Sequence, residues 1–436
     1  MGSMLDSKRI SGDTRKRSEL LTRIGARPVA IWGARMTGLG FYRLALREGI
    51  HPVAFLDSDP ALQLRRVKGL PVYAPSRIPE LRTHHPDLLI IVAVALKEDE
   101  ILRLLADYGV SRDDFVNFND YLEHYYTIDV VGTCNLRCQS CAYDMGYRQV
   151  KGMISMEDFS RVVAKMAQEV EIVSHVSLYN WGEPFLHPHL DQIITHLHEY
   201  GIAVAVSTNL SYIQPQRIRD VVKAAPDYLK ISLSGYDPAV YDTTHQGGNL
   251  HLVKSNLHLL KYHLEQSGAD TLVDVNYHLY KNNCGKNLEK MTRLCDELGF
   301  MLSTTYALVM PVERVIDHCE GHPDAKTQAL SKLLLVDIDE GRETTRAFRD
   351  LPCRYLTNQV NINWDRSVAL CCVCFERPQA DVAADYLEVS LDEIRRAKAA
   401  HPLCERCIHF GLPAYNLGFN QAEWRRIAQS KEIDDV

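Results

Sequence analysis

The sequence predicts an α/β protein in which two strand–helix alternations are followed by a cysteine-rich tail. Three observations carry this. Short apolar runs alternate with amphipathic stretches from about residue 28 to 120, and again from about 125 to 310. The first run of the second alternation leads directly into three cysteines spaced C-x3-C-x2-C. Beyond residue 350 the texture changes to short strand patterns and clustered cysteines.

The bulk numbers bound the class. The 436 residues are 46% hydrophobic and 24% charged, an ordinary globular composition with room for two or three domains. No apolar run approaches the ~18 residues of a membrane span, and the polar N-terminus has no signal-peptide core. A cytoplasmic location is expected. A net charge of −7 argues against a nucleic-acid partner. Met1-Gly2-Ser3-Met4 reads as a tag remnant, and the basic run Arg15-Lys16-Arg17, with Lys8, Arg9 and Arg23 nearby, as a solvated, frayed helix. Residues 1–25 are therefore an extension. With length and composition both against a disulfide scaffold, the 12 cysteines point to metal ligation.

Residues 26–122 form the first unit. Val29–Trp32 is a strand, Gly33-Ala34-Arg35-Met36-Thr37-Gly38 a tight turn into a helix, Val53–Leu56 a strand ending at Asp57, and Leu88–Val94 a buried strand before a helix at Glu98–Tyr108. This is a small Rossmann-like domain. Its turn reads G-x-R-x-x-G, with Arg35 where a dinucleotide fingerprint has its second glycine. Asp57 suits a ribose contact; a docking role for the unit, with Asp57 starting a turn, is the alternative.

Residues 123–335 form the second unit. Strands are expected at Thr127–Val131, His175–Tyr179, Ala203–Ser207, Tyr228–Ser232, Leu272–Tyr280 and Met301–Leu308. Helices are expected near Met156–Glu169, Leu190–Tyr200, Arg217–Ala224, His251–Gln266 and Leu288–Leu298. Six repeats make a partial (β/α)6 barrel, whose site belongs at the C-terminal ends of the strands. Cys134, Cys138 and Cys141 follow the first strand. Three thiolates on a four-iron cluster leave one iron open to a second molecule.

This arrangement resembles the radical S-adenosylmethionine (SAM) enzymes. Asn180-Trp181-Gly182-Glu183-Pro184 is similar to the family's Gly-Gly-Glu-Pro turn, with Trp181 for the first glycine. Ser207-Thr208-Asn209 is similar to Thr-Asn-Gly, with Leu210 for glycine, and Ile231-Ser232-Leu233-Ser234-Gly235 to Ile-Ser-Leu-Asp-Gly. The resemblance implies S-adenosyl-L-methionine held by Gly182, Glu183, Asn209 and Ser232, above a [4Fe-4S] cluster on Cys134, Cys138 and Cys141. His245 stands where relatives carry a carboxylate-binding arginine, and Tyr143 replaces the adenine-holding aromatic missing at Ser140.

Residues 336–436 hold a hairpin from Val360 to Leu370 and the cysteines 353, 371, 404 and 407, a set that fits either zinc or iron. Within the family the layout resembles the twitch domain, a shortened SPASM extension, which implies one auxiliary [4Fe-4S] cluster on Cys353, Cys371, Cys404 and Cys407. Cys372 and Cys374 compete for the second position, and Arg366 replaces the family's turn glycine. The resemblance further implies an electron donor such as flavodoxin or ferredoxin. It also implies hydrogen abstraction from a sugar, aminocyclitol, aminoglycoside or nucleotide-sugar, ending in dehydrogenation, dehydration or epimerisation. A peptide maturase and an iron–sulfur or zinc sensor are the alternatives. No acid or base is singled out among His187, His189, Tyr277, His278, Tyr280 and Tyr306.

Overall fold

The computed structural model describes residues 15–63, 65–95, 98–122, 124–145, 151–212, 214–375 and 380–431. The extension before Arg15 lies outside them. The basic run ends in the helix Arg15–Ile24, which buries Leu20 and Ile24 and pairs Arg17 with Glu48 at 2.6 Å.

The first sheet comprises β1 (Val29–Trp32), β2 (Ala54–Leu56), β3 (Arg66–Val67), β4 (Leu70–Tyr73), β5 (Leu89–Val92) and β6 (Phe115–Asn117). Their order is β3-β4-β2-β1-β5-β6, and every pairing except β3–β4 is parallel. All residues of β1, β2 and β5 are buried, which explains why these strands read as unbroken apolar runs.

The second sheet holds β7 (Tyr125–Ile128), β8 (His175–Ser177), β9 (Ala203–Thr208), β10 (Tyr228–Ser232), β11 (Leu272–Leu279) and β12 (Met301–Tyr306), parallel and in sequential order. The connecting helices are Met156–Glu169, Leu190–Glu199, Pro215–Ala224, Leu250–Ser267 and Lys286–Leu298, within two residues of expectation at each end. Ser155 caps the first by accepting from Asp158 N at 3.0 Å. A short helix, Pro238–Thr244, was not expected.

The tail is not a separate layer. β13 (Gln359–Ile362) pairs parallel with β7, and β14 (Val368–Ala369) and β15 (Asp381–Ala383) continue the sheet antiparallel. The expected hairpin thus covers the edge that β7 would otherwise expose. Its turn puts Arg366 at φ +70°, the conformation that the glycine of the resembling pattern would supply.

The first unit packs against the starts of the second unit's strands. Phe41 and Ala45, on the helix Met36–Arg47, share one core with Ile172, Ala205, Tyr228 and Met301. A Cβ at Gly40 would lie 2.2 Å from the carbonyl oxygen of Ser174, so only glycine permits this approach. The polar anchor is Asp227, buried just before β10. It accepts from Arg43 Nε and Val204 N, pairs with Lys68 Nζ at 3.1 Å, and lies 3.1 Å from His198 Nε2. Burial alone would raise its carboxyl pKa, but these partners outweigh burial and hold it well below the usual range.

Removing one member of such a buried group leaves the others uncompensated. Asp227→Ala is therefore expected to destabilise the protein by about 3–5 kcal/mol in urea unfolding. Because the folded pKa is depressed, this stability is present above the unfolded value of about 3.9 and is lost as pH falls toward the folded value. The variant should accordingly show a flatter acid limb.

Candidate active site

The C-terminal ends of β7 to β11 converge on one open cavity of about 730 Å³, counting its mouth. Cys134, Cys138, Gly182, Glu183, Asn209, Ser232, His245, His278 and Tyr280 are among its lining residues.

Asp129, directly after β7, organises the mouth. Its carboxylate accepts from Trp181 N at 3.1 Å and Gly182 N at 3.2 Å, while its own N–H donates to Ile362 O of β13 at 2.8 Å. The loops after β7 and β8 are thereby held together, and Glu183 N adds a bond to Thr133 O at 2.9 Å. A Cβ at Gly182 would lie 1.7 Å from Val131 O, so this position requires glycine for close approach.

Glu183 is 3% exposed. It accepts from Phe185 N at 3.0 Å and from Asn209 N at 2.8 Å. Burial pushes its pKa up to about 7, against these bonds and one from Thr208. Asn209 Nδ2 donates to Asn135 Oδ1 at 2.9 Å and lies 3.6 Å from Cys134 Sγ. Leu210 follows at φ +53° with its side chain fully buried.

The cysteine loop is held from several sides. Cys141 N donates to Cys138 O at 3.0 Å, Arg137 N to Gln246 O at 2.8 Å, and the buried Arg314 reaches Gln139 O at 2.9 Å. Tyr280 OH donates to Ser140 Oγ at 3.1 Å. Burial, and then the nearby Glu183, push the Cys134 thiol up to about 12; burial also raises Cys141.

Other expected residues are placed less simply. His245 lines the cavity, but its ring stacks on Tyr241 at 4.9 Å, has Thr244 Oγ1 2.8 Å from Nδ1, and bonds the Ser232 backbone. Burial lowers its pKa to about 4, which favours the neutral ring. Tyr143 does not line this cavity. It packs edge-on against Phe375 at 5.3 Å in a neighbouring cavity of about 430 Å³, with Asp129, Trp181, Trp364 and Asp381. Of the candidate acids and bases, His278 and Tyr280 line the mouth. Tyr277 OH is spent on Asn283 O at 2.7 Å, His187 Nε2 lies 2.8 Å from Ile154 O, and Tyr306 packs on Trp424.

In the tail, Cys353, Cys371, Cys404 and Cys407 line one largely apolar cavity of about 430 Å³, together with Cys374. The helix Pro402–His409 presents Cys404 and Cys407 one turn apart. Cys371 is drawn below the ordinary thiol range by hydrogen bonds from Cys372 and Cys374. Among the described residues, no three Cys, His, Asp or Glu side chains are arranged to hold a single metal ion. Both cysteine groups instead border cavities. Sequence reasoning missed Asp129 and Arg314, whose partners Trp181, Gly182 and Gln139 lie far away in the chain, whereas Cys374 was already a candidate for the second ligand position.

The tail and mouth are joined through Trp181. Its Nε1 donates to Cys374 O at 3.1 Å and its ring packs against Phe375 at 5.2 Å, while Phe375 N donates to Glu313 Oε1 at 2.8 Å.

Sequence comparison gives this geometry a family. Residues 128–273 match the description Radical SAM superfamily. The matched segment carries the cysteine loop, the Gly182–Glu183 turn, Asn209, Ser232 and His245 of the mouth. The chain is 28% identical over 136 residues to a GTP 3′,8-cyclase of Limosilactobacillus fermentum, covering 30% of this chain and 40% of the relative. It is 23% identical over 172 residues to a PqqA peptide cyclase of Streptomyces rochei, covering 39% of this chain and 44% of the relative. The chain thus spans less than half the length of either. Among solved structures, native anSMEcpe with bound AdoMet aligns with 70% of this chain and 98% of its own, at 14% identity and a TM-score of 0.45.

The close contact at Gly182 makes a direct prediction. Gly182→Ala is expected to cost about 1–3 kcal/mol in chemical unfolding, as overpacking does. A change within experimental error would show that the two loops are not pressed together.

Proposed function

We propose that this protein is a radical SAM enzyme acting on a sugar, aminocyclitol, aminoglycoside or nucleotide-sugar. The observation that carries the reading is the shared cavity: Cys134 and Cys138 of the cysteine loop on one wall, the Gly182–Glu183 turn and Asn209 on another, and Ser232 on a third, with Cys141 N bonded back to Cys138 O. The residues fit the groups that the resemblance implies. Thiols supplied by Cys134, Cys138 and Cys141 would hold a four-iron cluster. Bound together, the cluster and S-adenosylmethionine would supply a 5′-deoxyadenosyl radical by one-electron reduction.

The chain's own part is to bind, orient and exclude. The Glu183 carboxylate, already fixed by two backbone amides, receives the ammonium of the methionine end. Gly182 lets the turn approach the cysteine loop, Asn209 braces Cys134 and Asn135, and Ser232 offers a hydroxyl to the ribose end. Tyr280 and Arg314 keep the cysteine loop from moving. The tail, latched by Trp181 and Glu313, covers the side cavity and limits water there.

The second cysteine group fits an auxiliary four-iron cluster on Cys353, Cys371, Cys404 and Cys407. Sulfurs spread around a cavity suit a multi-iron centre, which is wider than a single ion. The substrate class rests on size and on the N-terminal unit. Cavities of about 430 and 730 Å³ lie in the range of small-molecule sites. A Rossmann-like unit also stands where peptide maturases usually carry a peptide-recognition domain. One finding favours a second reading: the match to a peptide cyclase supports a peptide substrate.

Three measurements test this. Anaerobically reconstituted protein with reductant and S-adenosylmethionine should release 5′-deoxyadenosine. Its product with amino sugars, nucleotide-sugars and precursor peptides identifies the substrate, and turnover of peptides alone would reject the sugar reading. Joint replacement of Cys134, Cys138 and Cys141 by alanine should lower bound iron from about eight to about four per chain and abolish cofactor cleavage. Finally, S-adenosylmethionine binding should tighten up to about tenfold per unit as pH rises toward 7 and level off above it, since only ionised Glu183 pairs with an ammonium. Glu183→Gln should bind weakly with no such pH dependence.

A further inference from the structure

Behind the tail cysteines lies a buried basic side chain that the reading above leaves unused. Lys398, on the helix Leu391–Ala399, is 1% exposed. Its Nζ donates to the carbonyl oxygen of Gln359, the first residue of β13. The Gln359 side chain in turn bonds Cys372. Among the described residues no carboxylate pairs with Lys398. Cys371, Cys372, Cys404 and Cys353 lie within its electrostatic reach. A buried ammonium with one carbonyl contact is costly unless an anion sits beside it. Among the described residues, the groups within its reach that can become anionic are these thiols, and metal binding is what deprotonates them.

We infer that Lys398 is the built-in countercharge of the tail cysteine site, placed to favour the reduced, more negative state of the cluster held there. This rests on the auxiliary-cluster reading. Lys398 touches no proposed substrate surface, so it is a positioning residue acting through charge. Net charge and hydrogen bonding around the sulfurs set the potential of such clusters, and a positive charge held nearby raises it. The same helix, Leu391–Ala399, packs on the segment Arg354–Asn358 that follows Cys353, so charge and ligands are held in one frame.

The test is a spectroscopic redox titration of the full chain carrying Cys134→Ala, Cys138→Ala and Cys141→Ala, so that only the tail site reports. Metal content is measured alongside. Lys398→Met should keep its iron and move the midpoint to a more negative potential, lowering the reduced fraction at the parent's midpoint at least severalfold. Lys398→Arg should restore the parent value. Iron lost from the methionine variant but retained by the arginine variant also supports the inference. Iron lost from both marks the lysine as a packing residue and overturns it, as does an unchanged midpoint at full iron content. A tail site in the parent that binds zinc, or no metal, overturns the auxiliary-cluster reading and the inference with it.

Discussion

The candidate site depends on one carboxylate. Asp129 closes β7, accepts the amides of Trp181 and Gly182, and ties its own amide to β13. Three pieces of chain distant in sequence meet there: the cysteine loop, the Gly-Glu-Pro turn and the tail hairpin. Each bond is ordinary, but a buried carboxylate with fixed amide donors leaves little freedom. The separation of the cysteine loop from Glu183 is thus fixed by a buried carboxylate bonded to two amides and by the main-chain bond from Glu183 N to Thr133 O.

Much of the fold was legible because its signals are local. Buried parallel strands read as apolar runs, and all six barrel strands and their five helices lie close to where periodicity put them. The departures from the family pattern are more instructive. Leu210 and Arg366 stand where glycines were expected, and both adopt positive φ. The backbone shape persists although the residue that usually permits it is gone. Leu210 offsets the strain by full burial, and Arg366 by ion pairs with Asp385 and Asp158. Trp181, the third departure, uses its side chain to latch the tail.

What could not be read has a common cause. Asp129, Arg314 and Lys398 acquire their roles from partners dozens to hundreds of residues away, and no local spacing announces such pairs. Tyr143 illustrates the converse. Its position two residues after Cys141 suggested the cofactor, yet Phe375 and the tail draw it into the neighbouring cavity. The competition between Cys371 and Cys372 likewise concerned which side chain faces a cavity assembled from distant segments. Cys371 lines that cavity along with Cys374.

The N-terminal unit completes the physical division of the molecule. The amide of Ala34, at the turn where a dinucleotide phosphate would approach, donates to Asp57 at 2.9 Å. Asp57 also takes Asp59 N, leaving its carboxylate committed to the turn. Arg35, in place of the second glycine, pairs with Asp59 and lies within electrostatic reach of Asp274 and Tyr228, inside the start of the second sheet. Arg43 and Lys68 bind Asp227 alongside. Arg35, which weakens the nucleotide fingerprint, thus lies in the same basic group as Arg43 and Lys68, the two side chains that pair with the second unit. These contacts lie at the starts of the second unit's strands, opposite the ends that carry the cysteine loop.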